Sequence, residues 1–212
     1  MSKISFVYFD VGGVAIQDFS DSPKWDSMME VMGIPVDRRA EFDTLYHTYD
    51  TQVCLGQHED TLLPEIATRF NLILPTGFSM RKYFLDHFFT NNEVTVSLVQ
   101  YIKKTCKVGL LTDMYPGMLD DIFSFKLIPA KETWDVIVDS SKVGFRKPMP
   151  EIYQIAQEKA GVKPEEILFI DNRQKNLVPA ASLGWQTYFY DSKDYKKSSR
   201  DLLQFIHAKF LI

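Results

Sequence analysis

Five short apolar runs punctuate this chain, each ending on a polar residue. They are Ile4–Phe9 before Asp10, Val108–Leu111 before Thr112, Val136–Val138 before Asp139, Ile167–Ile170 before Asp171, and Thr187–Tyr190 before Asp191. None shows the strict alternation of a strand with one wet face. Near-continuous hydrophobicity over so few residues reads as a parallel strand covered by helices on both sides. From Val94 onward, helical patterns fill the gaps. The segment 94–105 carries Val94, Leu98, Tyr101 and Ile102 at helical spacing. Pro150–Ala160 opens on proline and closes on Gly161, a good pair of start and stop signals. A third helix is expected from about Asn176 to Leu183, closed by Gly184, and a last one over about Ser199–Phe210. Strands alternating with helices predict an α/β fold, a doubly wound, Rossmann-like parallel sheet.

One stretch breaks the alternation. Between Gln17 and Asn92 there is no convincing strand, only helical candidates near Lys24–Met32, Asp37–Tyr49, Asp60–Phe70 and Ser79–Phe88. Pro23, Gly33-Ile34-Pro35, Gly56 and Pro75-Thr76-Gly77 punctuate them. That is far more helix than a crossover between two strands requires. It predicts an inserted helical subdomain, 17–92, joined to a core of 1–16 and 93–212 by linkers near Ile16–Ser20 and Thr90–Glu93.

Composition excludes several classes. The chain of 212 residues is 45% hydrophobic and 25% charged, too apolar for disorder. Its 24 basic against 28 acidic residues leave a net charge of -4, which argues against a nucleic acid partner. Cys54 and Cys106 make neither a disulfide framework nor the paired spacing of a zinc site. No apolar run approaches the roughly 18 residues of a membrane helix. The N-terminal apolar stretch, broken by Asp10 and two glycines, does not read as a signal peptide. The expectation is a cytoplasmic globular protein.

In a parallel sheet, ligands bind where the C-terminal strand ends open into loops. Three runs deliver Asp10, Thr112 and Asp171 to that edge, and Lys147 follows the third run in Val143-Gly144-Phe145-Arg146-Lys147-Pro148. Any one of these residues alone reads as a cap or a solvated charge; together they place two carboxylates, a hydroxyl and an ammonium in one crevice.

In this order and spacing they resemble a known family. Phe9-Asp10-Val11-Gly12-Gly13-Val14 is similar to the first motif of the haloacid dehalogenase-like (HAD) hydrolase superfamily, and Leu110-Leu111-Thr112 to its second. Val143–Pro148 resembles its third; Ile167-Leu168-Phe169-Ile170-Asp171-Asn172, with Asn176 and Ala180-Ala181-Ser182-Leu183-Gly184, resembles its fourth. The helical insert resembles the cap that many members carry after the first motif, and the likeness points to the phosphatase branch. It implies a phosphomonoester phosphatase acting on a small phosphorylated metabolite. Asp10 would be the nucleophile, attacking phosphorus to form an aspartyl-phosphate. Thr112, Asp113 and Lys147 would bind the substrate, Thr112 donating to a phosphoryl oxygen and Lys147 screening the phosphate from Asp10. Magnesium would be held by Asp10, the Gly12 carbonyl, Asp171 and Asn172.

Two positions depart from the family pattern. Family phosphatases usually have Asp two residues after the nucleophile as general acid; here it is Gly12, which cannot move a proton. The fourth motif usually ends in two acids; here the second is Asn172, which keeps an oxygen but loses a charge. Two other readings stay open: a catalytically weakened member that binds a ligand or partner, and a 2-haloacid dehalogenase, which needs no metal.

The remaining features read as structure or as alternatives to it. Tyr46, His47 and Tyr49 either reach a substrate or simply pack and stay solvated. Met28, Met29 and Met32 read as helix core, Trp25, Trp134 and Trp185 as packing residues, and Lys196-Lys197 with Arg200 as a solvated helix start.

Overall fold

The computed structural model of the chain describes residues 3–17, 23–88, 90 and 92–210. The five runs become parallel strands β1 (Phe6–Phe9), β2 (Lys107–Thr112), β3 (Val136–Asp139), β4 (Ile167–Asp171) and β5 (Gln186–Phe189), in the order β3-β2-β1-β4-β5. β1 therefore lies between the two halves of the sheet, and the chain reverses its direction of build across it. Phe9 pairs with Leu110 on one side and with Ile170 on the other, so Asp10 and Asp171 leave the sheet at the same level.

Each strand sends one set of side chains to each face. Phe6, Tyr8, Leu111 and Phe169 pack against α8 (Pro150–Ala160) and α9 (Gln174–Ser182). Val7, Phe9, Leu110 and Ile170 share a cluster with α5 (Glu93–Ile102), α6 (Met118–Ser124) and α10 (Tyr195–Phe210). Gly109 in β2 has a steric reason: a Cβ there would lie 2.7 Å from the Tyr8 ring, 2.9 Å from the Phe6 ring and 2.9 Å from the Val136 carbonyl oxygen.

Between β1 and β2 the described residues form helices only: α1 (Pro23–Met32), α2 (Arg39–Val53), α3 (Leu63–Phe70), α4 (Met80–Tyr83, continued by a π-helical turn through Phe88) and then α5. Residues 18–20 of the expected first linker, and 91 of the second, lie outside the described residues. The ends that are described meet: the Gln17 N–H donates to the Thr90 carbonyl at 2.9 Å, so chain leaves and returns through one neck. Met28, Phe42 and Ile66 from these helices belong to the same apolar cluster as Val7 and Phe9.

The departures from expectation are local. β1 starts at Phe6 rather than Ile4, β5 ends before Tyr190, and α10 begins at Tyr195 rather than about Ser199. α6 and α7 (Ser140–Val143) were not expected; at seven and four residues they are too short to carry a periodic signal. No helix among the described residues is long and apolar enough to cross a membrane.

Candidate active site

Two strand ends converge on one ammonium. Lys147 Nζ lies 2.8 Å from Asp10 Oδ1 and 2.7 Å from Asp171 Oδ2, and all three side chains are almost wholly enclosed. Asp171 is held from every side: its Oδ1 accepts from the Arg173 N–H at 2.7 Å, and the Asn176 amide donates to both of its oxygens at 3.2 and 3.0 Å. Asp10 Oδ1 also accepts from the Val11 N–H at 2.8 Å. Asp113, one residue past β2, accepts from the Lys147 N–H at 2.8 Å and lies 3.6 Å from the Arg146 guanidinium.

Burial sets the electrostatics. It pushes the Asp10 carboxyl up to about 7, against the pull of the Lys147 ammonium, with Asp171 adding to the rise. Asp113 is also raised by burial, again opposed by Lys147. For Lys147, burial works against the charge, but Asp10 and Asp171 overcome it and hold the ammonium well above its ordinary range. Two buried carboxylates share one buried ammonium, and Arg146 stands beside the half-buried Asp113.

Over this floor lies a cavity of about 140 Å³ between strand ends and inserted helices. Asp10, Gly12, Asp113 and Lys147 line it below; Asp50 and Cys54, at the end of α2, and Phe84 line it above. Arg173 and Lys175, both exposed, stand on its rim. Arg146 crosses between the two halves: its Nη2 is 2.9 Å from Asp50 Oδ2 and its Nη1 donates to Thr51 Oγ1 at 3.1 Å. Tyr115, another lining residue, donates to Asp50 at 3.3 Å and shares a 2.6 Å hydroxyl contact with Tyr46.

The anticipated residues are thus not all equivalent. Asp10, Gly12, Asp113 and Lys147 line the cavity, and Asp171 sits directly behind Lys147. Thr112 is fully buried at the end of β2, its hydroxyl 3.5 Å from the Asp113 carbonyl oxygen and outside the cavity lining. Asn172 is also outside the lining, its amide donating to Ser192 Oγ at 3.3 Å. Tyr46 stands one layer behind Tyr115, His47 is exposed, and Tyr49 packs on the core. Asp50, Cys54, Tyr115 and Arg146 were not anticipated; only Arg146, beside Lys147 in a marked segment, carried a signal.

Among the described residues no three or more His, Cys, Asp and Glu are grouped as a metal-binding cluster. The strand ends offer instead two carboxylates, Asp10 and Asp171, and the backbone of Gly12. All are hard oxygen donors at the ends of the strands. Magnesium, which keeps several waters and binds through one or two carboxylates plus substrate phosphate, fits that set.

A family model described as haloacid dehalogenase-like hydrolase matches residues 81–184. The chain is 31% identical over 121 residues, 51% of its length and 45% of the other's, to the Rhythmically expressed gene 2 protein of Drosophila melanogaster. It is 30% identical over 104 residues, 46% of its length and 50% of the other's, to the D-ribitol-5-phosphate phosphatase of Bacteroides thetaiotaomicron. It spans half or less of each of these curated relatives. A HAD family enzyme of Bacteroides thetaiotaomicron, solved with magnesium and inorganic phosphate, superposes with a TM-score of 0.72 at 18% identity, over 89% of this chain and 95% of that one.

Proposed function

We propose that this chain is a haloacid dehalogenase-like hydrolase, a magnesium-dependent phosphomonoester hydrolase acting on a small phosphorylated metabolite. The observation that carries the reading is the enclosed Asp10–Lys147–Asp171 array at the floor of a cavity. Asp10 attacks phosphorus, the bond from phosphorus to the leaving oxygen breaks, and an aspartyl-phosphate forms. A water molecule then attacks that phosphorus and frees inorganic phosphate, returning the electron pair to the Asp10 carboxylate; the proton this water loses to solvent balances the one the departing oxygen takes from solvent. Lys147 offsets the repulsion between Asp10 and the incoming phosphate, an effect strengthened by its burial. Thr112 and Asp113 belong to the phosphate-binding end; for Thr112 this requires its hydroxyl to turn from the Asp113 carbonyl. Magnesium, held by Asp10, the Gly12 carbonyl, Asp171 and Asn172, would supply further positive charge to the transferring group.

Residues 17–92 serve as a cap over a core of 1–16 and 93–212. The single neck at Gln17 and Thr90 supports that division, as does the position of Asp50, Cys54 and Phe84 over the strand ends. Closure of such a cap excludes water from the phosphoryl group.

A second reading is a member that binds a phosphorylated ligand without turnover. Gly12 favours it, since no carboxyl side chain stands there to protonate the leaving group, as does Asn172, which lies outside the cavity lining. A screen of phosphate esters with and without magnesium, run beside chloride release from 2-haloacids, separates the readings. Metal-dependent phosphate release supports the first. Ligand binding without release supports the second, and chloride release would replace both with a dehalogenase.

A further inference from the structure

We infer that the group carried by the phosphate is small and apolar, and that Phe84, Met114, Met118 and Ile122 select it. The inference rests on the phosphatase reading and concerns the part of the substrate that reading leaves open. The cavity, about 140 Å³, is close to the roughly 150 Å³ of a protein cavity that takes up one benzene ring. Its floor is the charged array that would face the phosphoryl group. Away from that floor, the apolar part of the surface offered to the rest of the substrate is a phenyl ring, two thioethers and a branched alkyl group. Met118 and Ile122 project from α6 one turn apart, and Met114 lies in the loop that precedes it, so one segment builds most of that wall.

The polar groups on the same side are already engaged with one another. Asp50 accepts from Arg146 at 2.9 Å and from Tyr115 at 3.3 Å, and Tyr115 meets Tyr46 at 2.6 Å. Arg146 also donates to Thr51 at 3.1 Å, and the Cys54 thiol lies 3.7 Å from Asp50. A hydroxyl entering this wall would lose water and compete with a network already bonded within itself. An alkyl or aryl carbon would meet polarizable sulfur and ring carbon instead.

The test compares propyl phosphate with glycerol 3-phosphate, both with magnesium and the intact chain. Leaving-group acidity alone favours glycerol 3-phosphate, because its hydroxyls make the departing alcohol more acidic. Apolar selection favours propyl phosphate, and we expect its kcat/KM to be about 10- to 100-fold higher, the range an apolar pocket achieves against an added hydroxyl. Met118→Gln should shrink that ratio several-fold. Binding of propylphosphonate against 2,3-dihydroxypropylphosphonate to the unmutated protein, by calorimetry, gives the same comparison without turnover or substitution. A kcat/KM ratio at or below one, with phosphate released from both, overturns the inference and leaves the phosphatase reading standing. Absence of release from either ester and from acetyl phosphate removes the phosphatase reading. The phosphonate pair then decides apolar selection alone, tighter propylphosphonate supporting it and equal or reversed binding overturning it.

Discussion

Lys147 Nζ sits 2.8 Å from Asp10 Oδ1 with both side chains enclosed, so the nucleophile of the proposed reaction and its screening cation form one buried unit. Removing the cation leaves Asp10 and Asp171 facing each other without compensation. Breaking a buried pair from one side typically costs about 3–5 kcal/mol. Lys147→Met is expected to lose a stability of that order in urea unfolding. The loss should be larger at pH 8 than at pH 5, because Asp10, raised by burial to about 7, takes up a proton at the lower pH and relieves the repulsion. A loss below about 0.5 kcal/mol, the scale of an ordinary surface substitution, contradicts the picture.

Gly12 has a conformation any residue adopts: its φ lies outside the left-handed region, and a Cβ built there meets no atom within 4 Å. Backbone strain therefore does not explain the glycine, and Gly12→Asp should melt close to the parent. Under the proposed function, a carboxylic acid placed at this position should raise turnover of alkyl phosphates on the order of 10²-fold, while aryl phosphates gain little. A folded, magnesium-binding variant with unchanged alkyl turnover would show that the missing acid does not limit the rate.

Arg146 ties the segment before α8 to Asp50 and Thr51 at the end of α2. A double-mutant cycle over Arg146→Ala and Asp50→Ala should return a coupling of about 0.5–3 kcal/mol, since the partners are largely buried and share a network. Under the proposed function both single variants also raise KM, because the upper wall of the cavity loosens. Additive effects within about 0.3 kcal/mol would mean the contact does not hold the two parts together.

The legibility of this chain follows from burial. Strands covered on both faces leave near-continuous apolar runs, and what ends them is what reaches the ligand edge, so Asp10, Thr112, Asp171 and Lys147 stand out before any fold is known. The floor of the site was readable for that reason. Its roof was not. Asp50 lies in α2, a helix whose polar residues look alike in sequence whether they face water or a cavity, and Cys54 caps it. Their partners, Arg146 and Tyr115, are far along the chain. Tyr46 reads as a candidate substrate contact, but the fold sets it behind Tyr115. α6, the segment that supplies much of the apolar wall, is only seven residues long and starts at Gly117, in the left-handed region at φ 76°.

A second arginine joins the inserted helices to the sheet side. Arg81 reaches Glu59 at 3.2 Å, Asp121 at 2.8 Å and the Pro116 carbonyl at 2.6 Å, and Glu59 is fully buried. Burial raises the Glu59 carboxyl above its ordinary 4.5, with Arg81 and His58 pulling it back. A raised acid holds its proton more tightly folded than unfolded. Its contribution to stability therefore falls as pH rises from about 4.5 through the folded value. The melting temperature of the parent, taken relative to Glu59→Gln, should decline across that window and flatten above it. A relative melting temperature that climbs instead would reverse the sign of the shift.

The central claim is that Asp10 attacks phosphorus, and the most direct measurement is inorganic phosphate release with magnesium, compared between the parent and Asp10→Asn. The account predicts release by the parent and its loss in the variant, with the two proteins giving the same circular dichroism and closely similar melting. It also predicts that a phosphoryl group can be trapped by acid quenching on the parent peptide that contains Asp10. Phosphate release that survives in Asp10→Asn at more than a few per cent of the parent rate would remove Asp10 from the mechanism and with it the proposed reaction.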